Sequence, residues 1–212
     1  MASKRQLLTL YKRLLDAYGR QHWWPGESRF EVLVGAVLTQ NTAWTNVMKA
    51  MARLRDAGAL EANVINALPV RRLAALIRSS GTFNIKAGRL HNLSRWFAAG
   101  GGFPDLEALP TARLRGELLD INGIGPETAD AILLYAFERP VFVIDAYTRR
   151  LLRALELIDG GENYETLRAL FETRLPPDPA LFQEYHALIV RHGKQRRAAP
   201  RDLAHRRIES PL

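Results

Sequence analysis

The chain has 212 residues, 47% of them apolar and 25% charged, a balance that fits a folded protein with a sizeable core rather than a disordered one. Thirty Lys and Arg against 22 Asp and Glu leave a formal charge of +8 and an isoelectric point near 10.2, which favours a polyanionic partner. Cysteine is absent, so disulfides, thiolate catalysis and Cys-ligated zinc or iron–sulfur clusters are excluded, and the five scattered histidines offer no metal-ligand spacing.

Helical periodicity runs through the whole chain. The first segment, MASKRQLLTLYKRLLDAYG, reads as a charged amphipathic helix without an uninterrupted apolar stretch. It is not expected to be a signal peptide, and no segment approaches a membrane span, which makes the cytoplasm the expected compartment. Phe30, Leu33, Val34, Val37 and Leu38 fall at i, i+3, i+4, i+7 and i+8, the stripe of a core-facing helix. Leu151, Leu152, Leu155 and Ile158 form a similar stripe, as do Leu181, Phe182, Tyr185, Leu188 and Ile189. The single β-like run, Val141 to Ile144, is too short to found a sheet. Breaks at Pro25–Gly26, Leu68–Pro69, Gly100–Gly102, Pro110, Gly160–Gly161 and Pro176–Pro179 divide the chain into about ten predicted helices. From Arg191 to Arg207 there are seven Lys or Arg and one acid, Asp202. That stretch reads as a solvated tail or as a phosphate-contacting arm.

The segment from residue 114 to 152 is the most specific. A helix carrying Leu114, Leu118 and Leu119 stops at Asn122–Gly123–Ile124–Gly125, and a second helix begins at Pro126, a residue suited to a first helical position, and runs to Phe137. The two glycines permit a tight hairpin with positive φ, Ile124 can plug inward, and the exposed N–H groups with the new helix N-terminus can bind a phosphate. An ordinary helix–helix turn would use the same residues. Asp145 follows the hydrophobic run Val141–Ile144 and precedes a helix predicted over Ala146 to Leu157. Capping alone would explain an Asp there, yet a cap at the end of a buried loop also fixes a carboxylate in place.

Together these runs resemble the helix-hairpin-helix DNA glycosylases of the endonuclease III superfamily. Ile121–Ala129 matches the hairpin, Pro140–Asp145 the loop ending in the catalytic aspartate, and Val37–Thr42 the early helix with its DNA-probing glutamine, Gln40. The resemblance spans roughly residues 25 to 195. It implies an all-α, two-lobed fold with DNA across the mouth of an interlobe cleft that holds the active site. One lobe would be residues 25–139, with the hairpin at 114–137, and the other residues 1–24 plus 140–212. Asp145 would stabilise the oxocarbenium-like sugar and direct water to it. Asn122, Gly123, Ile124, Gly125, Gln40, Arg149 and Lys194 would contact DNA.

Two departures narrow the expectation. Bifunctional members carry a hairpin lysine two residues after the second glycine, where this chain has Glu127, and no lysine lies between Lys86 and Lys194. A carboxylate cannot form a Schiff base, so a monofunctional enzyme that leaves an abasic site is implied. Many relatives end in four cysteines holding an iron–sulfur cluster, whereas Arg197, Ala204 and Arg207 stand at three of those places. A cluster-free relative uses a carbamylated lysine in the region of Lys194. The run Trp23-Trp24-Pro25, with Trp44 soon after Gln40, resembles the cluster-free bacterial 3-methyladenine DNA glycosylases, in which the equivalents line the base pocket. An aromatic slot suits an extruded base, above all a cationic alkylated purine, although tryptophans there would also serve as packing. The resemblance therefore implies excision of alkylated purines such as N3-methyladenine by a monomer acting on damaged duplex DNA, at the nucleoid, without cofactor or metal. A glycosylase for a mismatched or oxidised base and a non-catalytic damage-binding module are the alternatives.

Overall fold

The computed structural model describes residues 1–198. Of the basic tail, residues 199–207, with Ala204 and Arg207, and the side chains of residues 196–198, Arg197 among them, lie outside the described residues. The described chain is helical: α1 (Lys4–Tyr18), α2 (Arg29–Leu38), α3 (Trp44–Asp56), α4 (Ala62–Ala67), α5 (Val70–Leu76), α6 (Phe83–Ala99), α7 (Gly102–Glu107), α8 (Thr111–Asp120), α9 (Pro126–Tyr135), α10 (Ala146–Ala154), α11 (Tyr164–Glu172) and α12 (Pro179–Ala198), with a single 3-10 turn at Arg78–Ser80. None of these helices is long and apolar enough to cross a membrane. The chain divides into two compact units, one of Gly26–Phe137 and one of Met1–Pro25 with the chain from Glu138 onward.

In the Gly26–Phe137 unit, α2 is buried from Phe30 to Leu38, because its residues are apolar on nearly every side. It packs on α3, α6 and α9, while α4 and α5 lie along α6. Arg29 closes one end: its Nε donates to the Ala136 carbonyl at 2.7 Å, its guanidinium pairs with Glu107, and its face lies 3.9 Å from the Phe103 ring centre.

In the other unit, α1 begins with a capping box, Ser3 and Gln6 exchanging side-chain bonds with each other's backbone. It buries Leu7, Leu10 and Leu14 and packs along α12, where the fully buried Tyr185 donates its hydroxyl to the Leu7 carbonyl at 2.9 Å. Phe142 stacks on Phe171 with ring centres 3.8 Å apart, and Phe182 and Tyr185 meet it edge-on. The buried run Val141–Ile144 forms no strand. Two of its N–H groups find side-chain partners on α11 instead, the Phe142 N–H donating to Glu172 at 2.9 Å and the Ile144 N–H to the Tyr164 hydroxyl at 3.5 Å.

Two predicted helix ends differ. α9 stops at Tyr135 and not Phe137, and α10 stops at Ala154 and not Leu157, because Leu155 leaves helical geometry and Glu156 takes a φ of 55°. The apolar stripe continues past both ends, with Phe137, Leu157 and Ile158 buried, and that continuity is what extends a periodicity-based reading.

Candidate functional site

Asp145 caps α10 from an extended backbone conformation, φ −99° and ψ −180°. Its Oδ1 accepts from the Thr148 N–H at 2.7 Å and from the Thr148 hydroxyl at 2.9 Å, and its Oδ2 lies 3.8 Å from Nε2 of His186 on α12. The side chain is 12% exposed. Burial alone would push its pKa up, but the imidazole and the Thr148 donors outweigh burial and hold it below the ordinary carboxylate value. The result is a fixed, ionised carboxylate in a poorly hydrated place, which is the group needed beside a developing sugar cation.

α10 is seated on α12 at a second point. The Tyr147 ring occupies the space beside Gly193, where a Cβ would overlap it, and the Arg150 guanidinium lies 4.7 Å from the same ring. Gly193 is therefore required by close approach and not by backbone conformation. Lys194 is exposed, with its Nζ 5.5 Å above the Trp23 ring centre. Burial of its stem and the charge of Arg191 lower its pKa, against a smaller opposing pull from Asp145. Trp23 and Trp24 are half-buried and tilted, 5.4 Å and 54° apart, ahead of an exposed Pro25. The segment leading to them is tied to α12 by the Gln21 N–H, which donates to Glu184 at 2.7 Å. Arg149 donates to the Glu162 carbonyl at 2.9 Å, and the Glu162 carboxylate takes the Asp159 and Gly160 N–H groups, so this guanidinium helps to staple the 159–162 loop.

The hairpin lies in the Gly26–Phe137 unit, between α8 and α9. Gly123 has a φ of 96°, whereas Gly125 is extended at −94° and serves as N-cap of α9. The positive φ that the glycines permit is used at Gly123 alone: one left-handed residue suffices to reverse the chain, and the second must already point into the helix. Ile124 is buried, Asn122 exposed, and Pro126 opens α9 with Glu127 exposed in its first turn. Inside the hairpin, Arg115 of α8 grips the fully buried Asp130 of α9 with two bonds of 2.7 and 3.1 Å.

Gln40 is bound to this hairpin. Its Nε2 donates to the Gly123 carbonyl at 3.1 Å and to the Thr128 hydroxyl at 2.9 Å, and its Oε1 accepts from Arg89, whose stem covers Gly123. Below it, Lys86 is buried and its Nζ donates to the carbonyls of Leu38 at 2.8 Å and Ser80 at 2.6 Å, closing the ends of α2 and the 3-10 turn. Burial and the neighbouring Arg89 lower its pKa to about 8. Trp44 is the half-buried first residue of α3, a short step beyond Gln40. His186, Thr148, Arg89 and Lys86 escape a reading of the sequence. Only Thr148 carries a local signal, three residues after the cap. The others act across helices.

A Gly123→Ala variant should test the hairpin. The left-handed backbone would cost a β-carbon about 1–3 kcal/mol, and the new atom would displace Arg89 and with it the Gln40 contact. Duplex DNA affinity is expected to fall while the far-ultraviolet circular dichroism spectrum stays helical.

The HhH-GPD family model, described as a superfamily of base excision DNA repair proteins, matches residues 34–177. A Methanocaldococcus jannaschii protein assigned as a DNA repair glycosylase is 47% identical over 189 residues, covering 88% of this chain and 86% of its own. Endonuclease III of Thermotoga maritima is 32% identical over 189 residues, covering 88% and 82%. Among solved structures, the H. pylori 3-methyladenine DNA glycosylase bound to 1,N6-ethenoadenine is 32% identical with a TM-score of 0.75, over 92% of this chain and 99% of that one. A trapped endonuclease III–DNA covalent intermediate, at 20% identity and a TM-score of 0.80 over 96% and 92%, shares the fold.

Proposed function

The chain belongs to the HhH-GPD superfamily of base excision DNA repair proteins, and from that premise we propose that it is a monofunctional DNA glycosylase that removes alkylated purines from duplex DNA. The observation that carries the reading is Asp145, mostly buried, ionised and fixed at Oδ1 by the two Thr148 donors. As the N-glycosidic bond breaks, its electron pair leaves with the purine and positive charge gathers at C1′ and the ring oxygen. The carboxylate stabilises that charge; water then adds at C1′ and gives up a proton, leaving an abasic site. An N3- or N7-alkylated purine is cationic and departs without a general acid, so one carboxylate suffices. Trp23 already presents a face to the Lys194 ammonium, and the same electron-rich ring suits a cationic base. Asn122, Gly123, Ile124 and Gly125, with Gln40, would meet the DNA backbone and the damaged site.

Glu127 occupies the hairpin position where a Schiff-base lysine would stand, exposed in the first turn of α9, where an acid favours the helix dipole. Duplexes bearing single N3-methyladenine, N7-methylguanine, 1,N6-ethenoadenine, 8-oxoguanine or mismatched thymine separate the possibilities. The expected products are free methylated purine and intact strands that break only on alkali treatment, with no adduct trapped by borohydride. A trapped adduct would end the monofunctional reading; release of only 8-oxoguanine or mismatched thymine would end the alkylated-purine reading. The H. pylori relative holds 1,N6-ethenoadenine, which makes that lesion the second one to test.

In the same assays, Trp44→Ala should depress excision far more than binding to abasic DNA, since only an extruded base would touch the ring. Loss of stacking should cost about 1–3 kcal/mol in base capture. A variant that instead melts early, by roughly 3–5 kcal/mol, would make Trp44 a packing residue.

A further inference from the structure

The two oxygens of Asp145 are held from different places. Oδ1 takes both Thr148 donors, which are local to α10 and follow from capping. Oδ2 faces Nε2 of His186, which comes from α12 and is only 8% exposed. At 3.8 Å the contact is longer than a hydrogen bond, in surroundings where an imidazole and a carboxylate attract each other more strongly than in water. The meeting follows from helix register. Gly193, which receives Tyr147 of α10, lies two turns after His186 on the same face of α12, so the seating of one helix on the other delivers the imidazole to the carboxylate.

The cap by itself leaves one oxygen without a fixed orientation. We propose that His186 is a positioning residue for Asp145, holding the Oδ2 side of the carboxylate from α12 while Thr148 holds Oδ1, so that the anion keeps one orientation toward the sugar. The inference rests on Asp145 being the catalytic carboxylate. His186 itself does not touch the substrate; it acts through Asp145. Among the described residues, Lys194 is a cation that also attracts Asp145, and it is left unchanged in the test.

The test compares full-length wild type, His186→Leu and His186→Gln. Readouts are the single-turnover rate of purine release from dimethyl-sulfate-treated duplex DNA, affinity for a duplex holding a tetrahydrofuran abasic analogue, melting temperature, and the titration of the Asp145 carboxyl carbon by nuclear magnetic resonance. His186→Leu should lose about 10–100-fold in rate, the range seen when a group that orients a functional ligand is removed, with abasic-analogue affinity retained. His186→Gln, which keeps a donor near the Nε2 position, should recover most of the rate. The Asp145 carboxyl should titrate at higher pH in the Leu variant, because the imidazole contact that lowers its pKa is gone. Wild-type rate and unchanged Asp145 titration in His186→Leu would overturn the proposal. So would equal failure of both variants with early melting, since that would mark a packing role. Full activity in Asp145→Asn would instead sink the catalytic reading, and the carboxyl titration, which needs no turnover, would still read the His186 contact.

Discussion

Asp145→Asn should abolish base excision and leave binding to abasic duplex DNA nearly unchanged. The substitution keeps the shape and removes the charge. The amide oxygen can still accept from the Thr148 N–H and hydroxyl, so the cap of α10 survives, and Asn is as good an N-cap as Asp. The anion proposed to stand beside C1′ does not survive. Losing an electrostatic and general-base group of this kind costs about 10²–10⁴ in rate, or roughly 3–5 kcal/mol of transition-state stabilisation. Stability should change by about 1 kcal/mol or less, the worth of a cap. Single-turnover release of purine, equilibrium binding and a thermal melt together check the expectation. Near-wild-type release would place the chemistry on another residue, whatever lesion is used.

The largest stability effect should come from Arg115→Ala. Arg115 is 14% exposed and Asp130 fully buried, and their two-bonded contact braces α8 against α9 just behind the hairpin. Truncating the arginine leaves a carboxylate buried without its cation, which typically costs 3–5 kcal/mol, or roughly 6–20 °C in melting temperature for a chain of this size. DNA affinity is expected to fall with it, because the turn at Gly123 and Gly125 keeps its geometry only while the two helices are held together. A double variant, Arg115→Met with Asp130→Leu, should recover most of the stability, since an apolar pair of similar volume avoids both desolvation penalties. A single variant that melts like the wild type would show that the pair contributes nothing; a double variant no better than the single would show that the loss is one of packing volume.

Much of the architecture was legible in the residues taken in order. Helix is favoured because the apolar side chains recur at the spacing that places them on one face, as Phe30, Leu33, Val34, Val37 and Leu38 do in α2, and burial of that face is the dominant favourable term. The hairpin was legible because Gly123 supplies a φ no other residue takes easily and Pro126 is already shaped for a first helical turn. Asp145 was legible because capping is a local event, settled within three residues.

What the sequence could not decide is anything set by the register of one helix on another. Nothing along the chain joins His186 to Asp145, Arg89 to Gly123, or Lys86 to the ends of α2 and the 3-10 turn; each pairing exists only once the helices have docked. The same holds for Val141–Ile144, a β-like run that forms no sheet and whose Phe142 and Ile144 N–H groups are taken by Glu172 and Tyr164, brought in by α11. It holds also for Gly193, whose missing side chain is required by a ring arriving from α10. Composition, periodicity and capping chemistry thus determined that the chain is helical and where the capping carboxylate and the glycine turn stand. Packing alone decided which side chains orient them, because a side chain's partner across helices depends on interdigitation in three dimensions and leaves no period or spacing to read.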